Sequence, residues 1–244
     1  MFYSDKISKL PMHFKVLEVG PGGYPHPRSN VLLEKNFSTE DLATAQRGYA
    51  PMHQSKQVTI YYDGGRFPFA DNEFDYIICS HVIEHIPKED LAYFIDEMQR
   101  VARRGFIEFP TVFYELINFH ELHKWFMNYR GGIMFFLDKQ FFHSNYLHKI
   151  IRDMFYGQDK YAAQIFTRYR ELFFHAFEWN EEIKFEIVDS IDKLIIEDDY
   201  IFFSEYFKKF KPCSTPERLY NFLASLCKRI KNKLLKLTIN ITKV

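Results

Sequence analysis

Two segments constrain the fold of this chain more than any other feature. Val16-Leu-Glu-Val-Gly-Pro-Gly-Gly23 and Phe67-Pro-Phe-Ala-Asp-Asn-Glu-Phe-Asp-Tyr-Ile-Ile-Cys-Ser-His-Val-Ile-Glu-His85 each contain a short apolar run. Each run ends in residues that free the backbone or present polar groups. An open α/β sheet builds its ligand cleft at such strand ends. The pair predicts neighbouring lips of one cleft, and with it a small-molecule enzyme.

The rest of the chain supplies elements for that sheet. Phe14–Val19, Val31–Glu34, Gln57–Tyr62, Phe74–Cys79 and Gly105–Phe109 read as strands. The run ending at Cys79 is nearly all apolar, as a central strand covered on both faces would be. Thr39–Gln46 reads as a short helix. Lys88–Arg103 is an amphipathic helix, with Leu91, Phe94, Ile95, Met98, Val101 and Ala102 at 3–4 spacing and Gly105 as its stop. Strands alternating with helices give an α/β fold, a Rossmann-like, mainly parallel sheet flanked by helices. Further on, Lys124–Asn128 and Ile133–Leu137 flank Tyr129-Arg-Gly-Gly132 as a hairpin. The pattern predicts mostly helix over His143–Phe177, a helical elaboration of the C-terminal half, and another strand at Glu182–Val188. No repeat or low-complexity linker interrupts 1–244, so the expectation is one domain. It comprises a ligand-binding core at 14–110, an acceptor-side hairpin and helical region at 111–180, and a tail at 216–244.

Charge and cysteine usage narrow the function class. Lys+Arg and Asp+Glu are equal at 32 each, so no global field favours nucleic acid. Cys79, Cys213 and Cys227 are scattered, with neither disulfide nor zinc-knuckle spacing, which suits a reducing compartment. Met1–His13 has no signal-peptide core, and no run reaches the ~18 apolar residues of a membrane span. The expected location is therefore cytoplasmic. Between Arg218 and Lys243, basic residues without acids accompany an apolar face of Leu219, Phe222, Leu223, Leu226, Ile230 and Leu234. Such a tail either packs on its own domain or touches an anionic membrane peripherally.

Gly20, Gly22 and Gly23 let backbone approach a ligand, but the dinucleotide fingerprint is broken by Pro25, and Pro27 follows. Only ten residues separate Gly20 from Val31, too few for a usual crossover helix. Without a helix N-terminus a pyrophosphate loses its anion site, whereas an adenosyl ligand without phosphates loses little. Glu34 ends the second strand, where an acid can accept ribose hydroxyls. Asp63, before Gly64, ends the third.

In this order, Leu17-Glu-Val-Gly-Pro-Gly22, Asp63-Gly-Gly-Arg-Phe-Pro-Phe69 and Phe74-Asp-Tyr-Ile-Ile-Cys-Ser-His-Val-Ile-Glu-His85 resemble a class I S-adenosylmethionine-dependent methyltransferase. The likeness is to the type 11-like subgroup and covers residues 14–110. It implies S-adenosyl-L-methionine as cofactor, with Glu18, Gly20 and Gly22 at its methionine part. Glu34 would hold the ribose, Asp63 and Gly64 would lie near adenine, and Ser80 and His81 would border the sulfonium. Gly105-Phe-Ile-Glu-Phe-Pro110 with His123-Lys-Trp125 is also similar to members that act in surface-glycan pathways, which suggests carbohydrate modification.

Methyl transfer to a hydroxyl needs alignment and a base. His85, His123 and His120 are candidates, with Glu108 as orienting acid. The expected activity is O-methylation of a small-molecule or glycan-type acceptor. A silent adenosyl-binding protein is the alternative. His81-Val-Ile-Glu-His85 also spells the HxxEH zinc-hydrolase motif, which needs a helix to bring its two histidines together. Pro87 stops any helix there, so no metal ligand is assigned.

Overall fold

A computed structural model describes residues 1–46, 57–141 and 166–208. Its main sheet has six strands in the order β3-β2-β1-β4-β5-β8. These are β1 Val16–Val19, β2 Val31–Lys35, β3 Val58–Tyr62, β4 Tyr76–Ser80, β5 Arg104–Pro110 and β8 Phe174–Asn180. The first five run parallel, with Leu17 opposite Val31 on one side and Ile77 on the other. β8 pairs antiparallel with β5, Ile107 facing Phe177. Strand order reverses between β1 and β4, and a ligand crevice opens at the carboxyl ends on either side of such a reversal.

The chain divides into two units, Met1–Ile196 and Glu197–Val244. In the second, Glu197–Lys208 is helical with three acids in its first turn, a placement favoured by the helix dipole. The tail 218–243 and most of the helical reading at 143–165 lie outside the described residues.

Helix α1 spans Glu40–Gln46, and Thr39 Oγ1 accepts the Leu42 N–H at its start. Helix α2, Lys88–Val101, buries Leu91, Phe94, Ile95, Met98 and Val101, the apolar stripe read from its spacing. It ends earlier than the sequence predicts. Ala102 is already extended, and Arg104 and Gly105 belong to β5 rather than to a helix stop. Extending the chain there gains β5 its ladder with β4.

The largest correction falls at Phe174–Phe177, where the helical reading fails. This stretch is strand β8, with alternating burial at Phe174 and Ala176. Pairing with the open edge of β5 outweighs the local helical pattern, as edge pairing often does.

The hairpin forms as expected, from β6 (Trp125–Arg130) and β7 (Ile133–Asp138). The strand expected near Glu182 is β9, Lys184–Val188, which joins β7 in parallel to make a second, three-stranded sheet. One face, with Trp125, Met127, Met134 and Phe136, enters the main core. The other, with Phe126, Phe135 and Leu137, packs with Val112 and Leu194. Burial on both faces explains runs that are apolar rather than alternating.

Gly105 marks the tightest contact of the main sheet. A Cβ there would lie 2.4 Å from the Ile77 carbonyl oxygen and 2.5 Å from Ile77 Cγ2. Gly105→Ala should therefore cost about 3 kcal/mol, as overpacking against backbone does. Urea unfolding measures it, and a loss below about 0.5 kcal/mol would contradict this β4–β5 register.

Candidate functional site

The cleft lies at the carboxyl ends of β1, β2, β3 and β4. Its walls are Val19, Gly20, Gly22, Leu33, Glu34, Lys35, Phe37, Gln46, Tyr62, His81, Val82, His85, Ile86 and Pro87. Gly20 and Gly22 both have positive φ, 59° and 58°. A Cβ on Gly20 would stand 2.5 Å from Val82 Cγ2, so the Val82 side chain occupies the space a side chain at 20 would take. The Gly22 N–H donates to Glu34 Oε1 at 3.0 Å, which joins the glycine turn to the acid at the end of β2.

No helix separates β1 from β2. Buried side chains hold the loop instead. Glu18 Oε2 accepts the His26 N–H at 2.7 Å and the Ser29 hydroxyl at 2.6 Å. Gln57 Nε2 donates to the carbonyls of His26 and Ser29. Glu18 thus supports the loop from beneath and is not among the cleft-lining residues.

Of the residues chosen from sequence, Gly20, Gly22, Glu34, His81 and His85 meet in the cleft. Asp63 and Gly64 do not line it. Asp63 is exposed and accepts from Asn36 Nδ2 at 2.9 Å, and Gly64 lies against Lys35. Sequence reasoning missed Leu33, Phe37, Tyr62, Val82 and Ile86, the apolar walls. Their signal was position alone, since each adjoins a strand end or the turn after β4.

Behind the cleft, buried acids and imidazoles form a chain. Ser80 Oγ donates to Glu108 Oε1 at 3.1 Å. His81, at a left-handed φ of 58°, places Nε2 2.9 Å from Glu108 Oε1 and Nδ1 3.3 Å from Glu84 Oε1. A left-handed histidine costs energy and is typical of functional turns. Burial alone would lower the His81 pKa, but the two carboxylates outweigh it and raise it to about 9. Burial alone would raise Glu108. The His81 charge and the Phe2 N–H reverse this and hold it at about 2. The N–H groups of Phe2 and Tyr3 donate to that carboxylate at 2.8–3.0 Å, and Phe2 stacks on Phe174 at 3.9 Å.

His85 and His123 lie beyond Glu84, their ring centroids 4.5 Å apart. Nδ1 of His85 faces the Leu122 carbonyl oxygen at 3.3 Å, and Nδ1 of His123 hydrogen-bonds Glu115 Oε1. Lys139 Nζ holds the other Glu115 oxygen and the His120 carbonyl. Burial lowers the pKa of His85, and lowers that of His123 to about 2, so both rings are neutral. His120 stacks on His123 at 4.3 Å. The HxxEH segment is a 3-10 turn at Ile83–His85, not a helix, so its two histidines do not converge as the hydrolase motif requires.

Residues 17–107 match the family model described as a methyltransferase domain. Over that stretch, less than half of its length, the chain is similar to such a domain. The match implies S-adenosyl-L-methionine as cofactor. No curated protein matches the chain. Similar solved structures include the YcgJ protein of Bacillus subtilis, at 18% identity over 46% of this chain and 53% of that one, with a TM-score of 0.32. A SAM-dependent methyltransferase from Methanosarcina mazei matches at 17% identity over 50% and 69%, with a TM-score of 0.31. A protein from Pyrococcus horikoshii OT3 matches at 17% over 74% and 84%, with a TM-score of 0.36. The chain thus spans about half the length of the first of these.

The cleft suits the cofactor of a methyltransferase domain. Gly20 and Gly22 line it in left-handed backbone, Glu34 offers a carboxylate, and Leu33, Phe37, Tyr62 and Ile86 give apolar walls. Among the described residues no helix is long and apolar enough to cross a membrane.

The Glu108 carboxyl is depressed from 4.5 in the unfolded chain to about 2, so its stabilising effect is complete above pH ~4.5 and lost as pH falls towards 2. Urea midpoints between pH 6 and 2 should therefore drop steeply for the wild type and less steeply for Glu108→Gln. Parallel curves would mean that Glu108 is not held ionised.

Proposed function

We propose that this protein transfers the methyl group of S-adenosylmethionine to a hydroxyl oxygen of a small-molecule or glycan-type acceptor. One observation carries the reading: the cleft bearing Gly22 and Glu34 continues without a break to His81 and His85. The cofactor supplies an electrophilic methyl group on a sulfonium, so the protein's work is placement and proton removal.

Gly20 and Gly22 would take the methionine part at their open backbone. Glu34 would accept ribose hydroxyls while its Oε1 holds Gly22. Phe37 and Tyr62 would flank the base, a part the sequence reading gave to Asp63. The imidazole of His85, neutral and anchored through Nδ1 to the Leu122 carbonyl, leaves Nε2 with a lone pair. That lone pair can receive the proton of an acceptor hydroxyl. Glu108 and His123 act behind it, Glu108 by fixing His81 and His123 by packing edge-on against His85. The described parts of 111–180, with the hairpin, would form the acceptor side.

Thermal shift tests it. S-adenosylhomocysteine at 100 times its dissociation constant should stabilise the protein by about 2.7 kcal/mol. No shift with either form of the cofactor would end the proposal, and binding without methylation of any acceptor pool would favour a silent binding protein. Glu34→Ala should weaken S-adenosylhomocysteine by about 1–3 kcal/mol through lost hydrogen bonds, as titration calorimetry measures. Unchanged affinity would remove Glu34 from the pocket.

A further inference from the structure

Glu84 is fully buried, and among the described residues neither carboxylate oxygen has a partner in hydrogen-bond geometry. His81 Nδ1 pairs with Oε1 at 3.3 Å as an ion pair without hydrogen-bond geometry, which leaves Oε2 with no partner among the described residues. A buried carboxylate left this way is costly unless something else completes it. Its other neighbours are two imidazoles whose outer nitrogens are already engaged. His85 is tied through Nδ1 to the Leu122 carbonyl, and His123 through Nδ1 to Glu115. Each ring therefore turns Nε2, with its lone pair, away from its anchor. Nε2 of His123 is 4.0 Å from Glu84 Oε1. One ligand atom from each of Glu84, His85 and His123 can be chosen so that all three lie within 4.8 Å of one another.

We propose that Glu84, His85 and His123 bind a divalent transition-metal ion of the zinc type, and that this ion holds the acceptor's oxygen beside the cofactor. Two neutral imidazoles and a carboxylate, with coordination positions to spare, make a ligand set that zinc uses in catalytic sites. The Leu122 carbonyl and Glu115 are the outer partners that metal-bound histidines ordinarily have, and Lys139 in turn fixes Glu115. Bonds of about 2.0–2.2 Å would space ligand atoms roughly 3.3 Å apart, so the three need draw in by up to about 1.5 Å. His85 also lines the cleft, so the remaining positions open towards it. An acceptor hydroxyl on such an ion ionises far more readily than in water and releases its proton to solvent in the cleft, so with the ion bound the Nε2 lone pair of His85 is a ligand and no longer the base. The set differs from the HxxEH pair, because His81 faces Glu108 and Glu84 instead.

This inference rests on the methyltransferase reading but fails separately from it. Chelator-treated full-length protein is titrated with Co(II) and then Zn(II), and S-adenosylhomocysteine binding is measured alongside. The expected result is one equivalent of Co(II) with visible d–d absorption, displaced by Zn(II). Glu84→Gln and His123→Ala should each abolish the band while leaving S-adenosylhomocysteine binding within a few-fold. Glu115→Gln, a positioning change, should weaken the metal 10–100-fold. Protein that binds S-adenosylhomocysteine but takes up no stoichiometric Co(II) or Zn(II) would overturn the metal site. So would a band that survives both ligand substitutions, and the wild-type titration decides even if a variant does not fold. Failure of S-adenosylhomocysteine binding in the wild type would instead overturn the function proposed above.

Discussion

Three carboxylates buried at one corner govern this structure. Glu84 comes from the turn after β4, Glu108 from β5 and Glu115 from helix α3 (Val112–Asn118), and none is exposed to water. Removing a charge from water costs several kcal/mol unless opposite charge and hydrogen bonds replace the solvent. Each acid therefore dictates what surrounds it. Glu108 draws in His81 and the N–H groups of Phe2 and Tyr3, and Glu115 draws in Lys139 and His123. These demands bind the first residues, the end of the main sheet, α3 and the hairpin into one corner. Because that corner backs the cleft, the groups nearest the expected methyl position are among the most constrained in the molecule.

The other side of the cleft solves a different problem. A parallel crossover normally uses a helix to satisfy its backbone and cover the sheet. Between β1 and β2 there is room only for a loop, and Glu18, Ser29 and Gln57 take over part of the helix's hydrogen bonding. The result is a glycine turn with open backbone but without the positive pole of a helix. Such a turn can cradle a nucleoside without being a pyrophosphate site.

Much of this was legible in the sequence, because the strands leading to the site are central and strongly apolar. β1, β2, β4 and β5, helix α2 and the hairpin all follow from local pattern, and the chain order alone suggests the sheet edge where Gly22 and Glu34 meet. What was not legible depended on partners distant in sequence. Phe174–Phe177 is helical by pattern and a strand in fact, because β5 offers an unpaired edge some 70 residues earlier. Asp63 seemed aimed at the ligand from its place after a strand. Asn36, across from it, holds it at the surface. Glu115 carried no signal at all, since nothing local says that a helical glutamate will meet a lysine and a histidine in the interior.

The contacts of Phe2 and Tyr3 have a consequence for how the chain acquires its form. Their partners are Glu108, about 105 residues later, and Arg170, which reaches the Phe2 carbonyl and Asp5. At ribosomal speeds of about 5–20 residues per second, this segment waits on the order of ten seconds for the acid that anchors it, and longer for the arginine. During that interval β1, β2 and β4 can pair while the strap hangs loose. The strap is therefore a late seal, closing the corner only after the sheet beneath it exists.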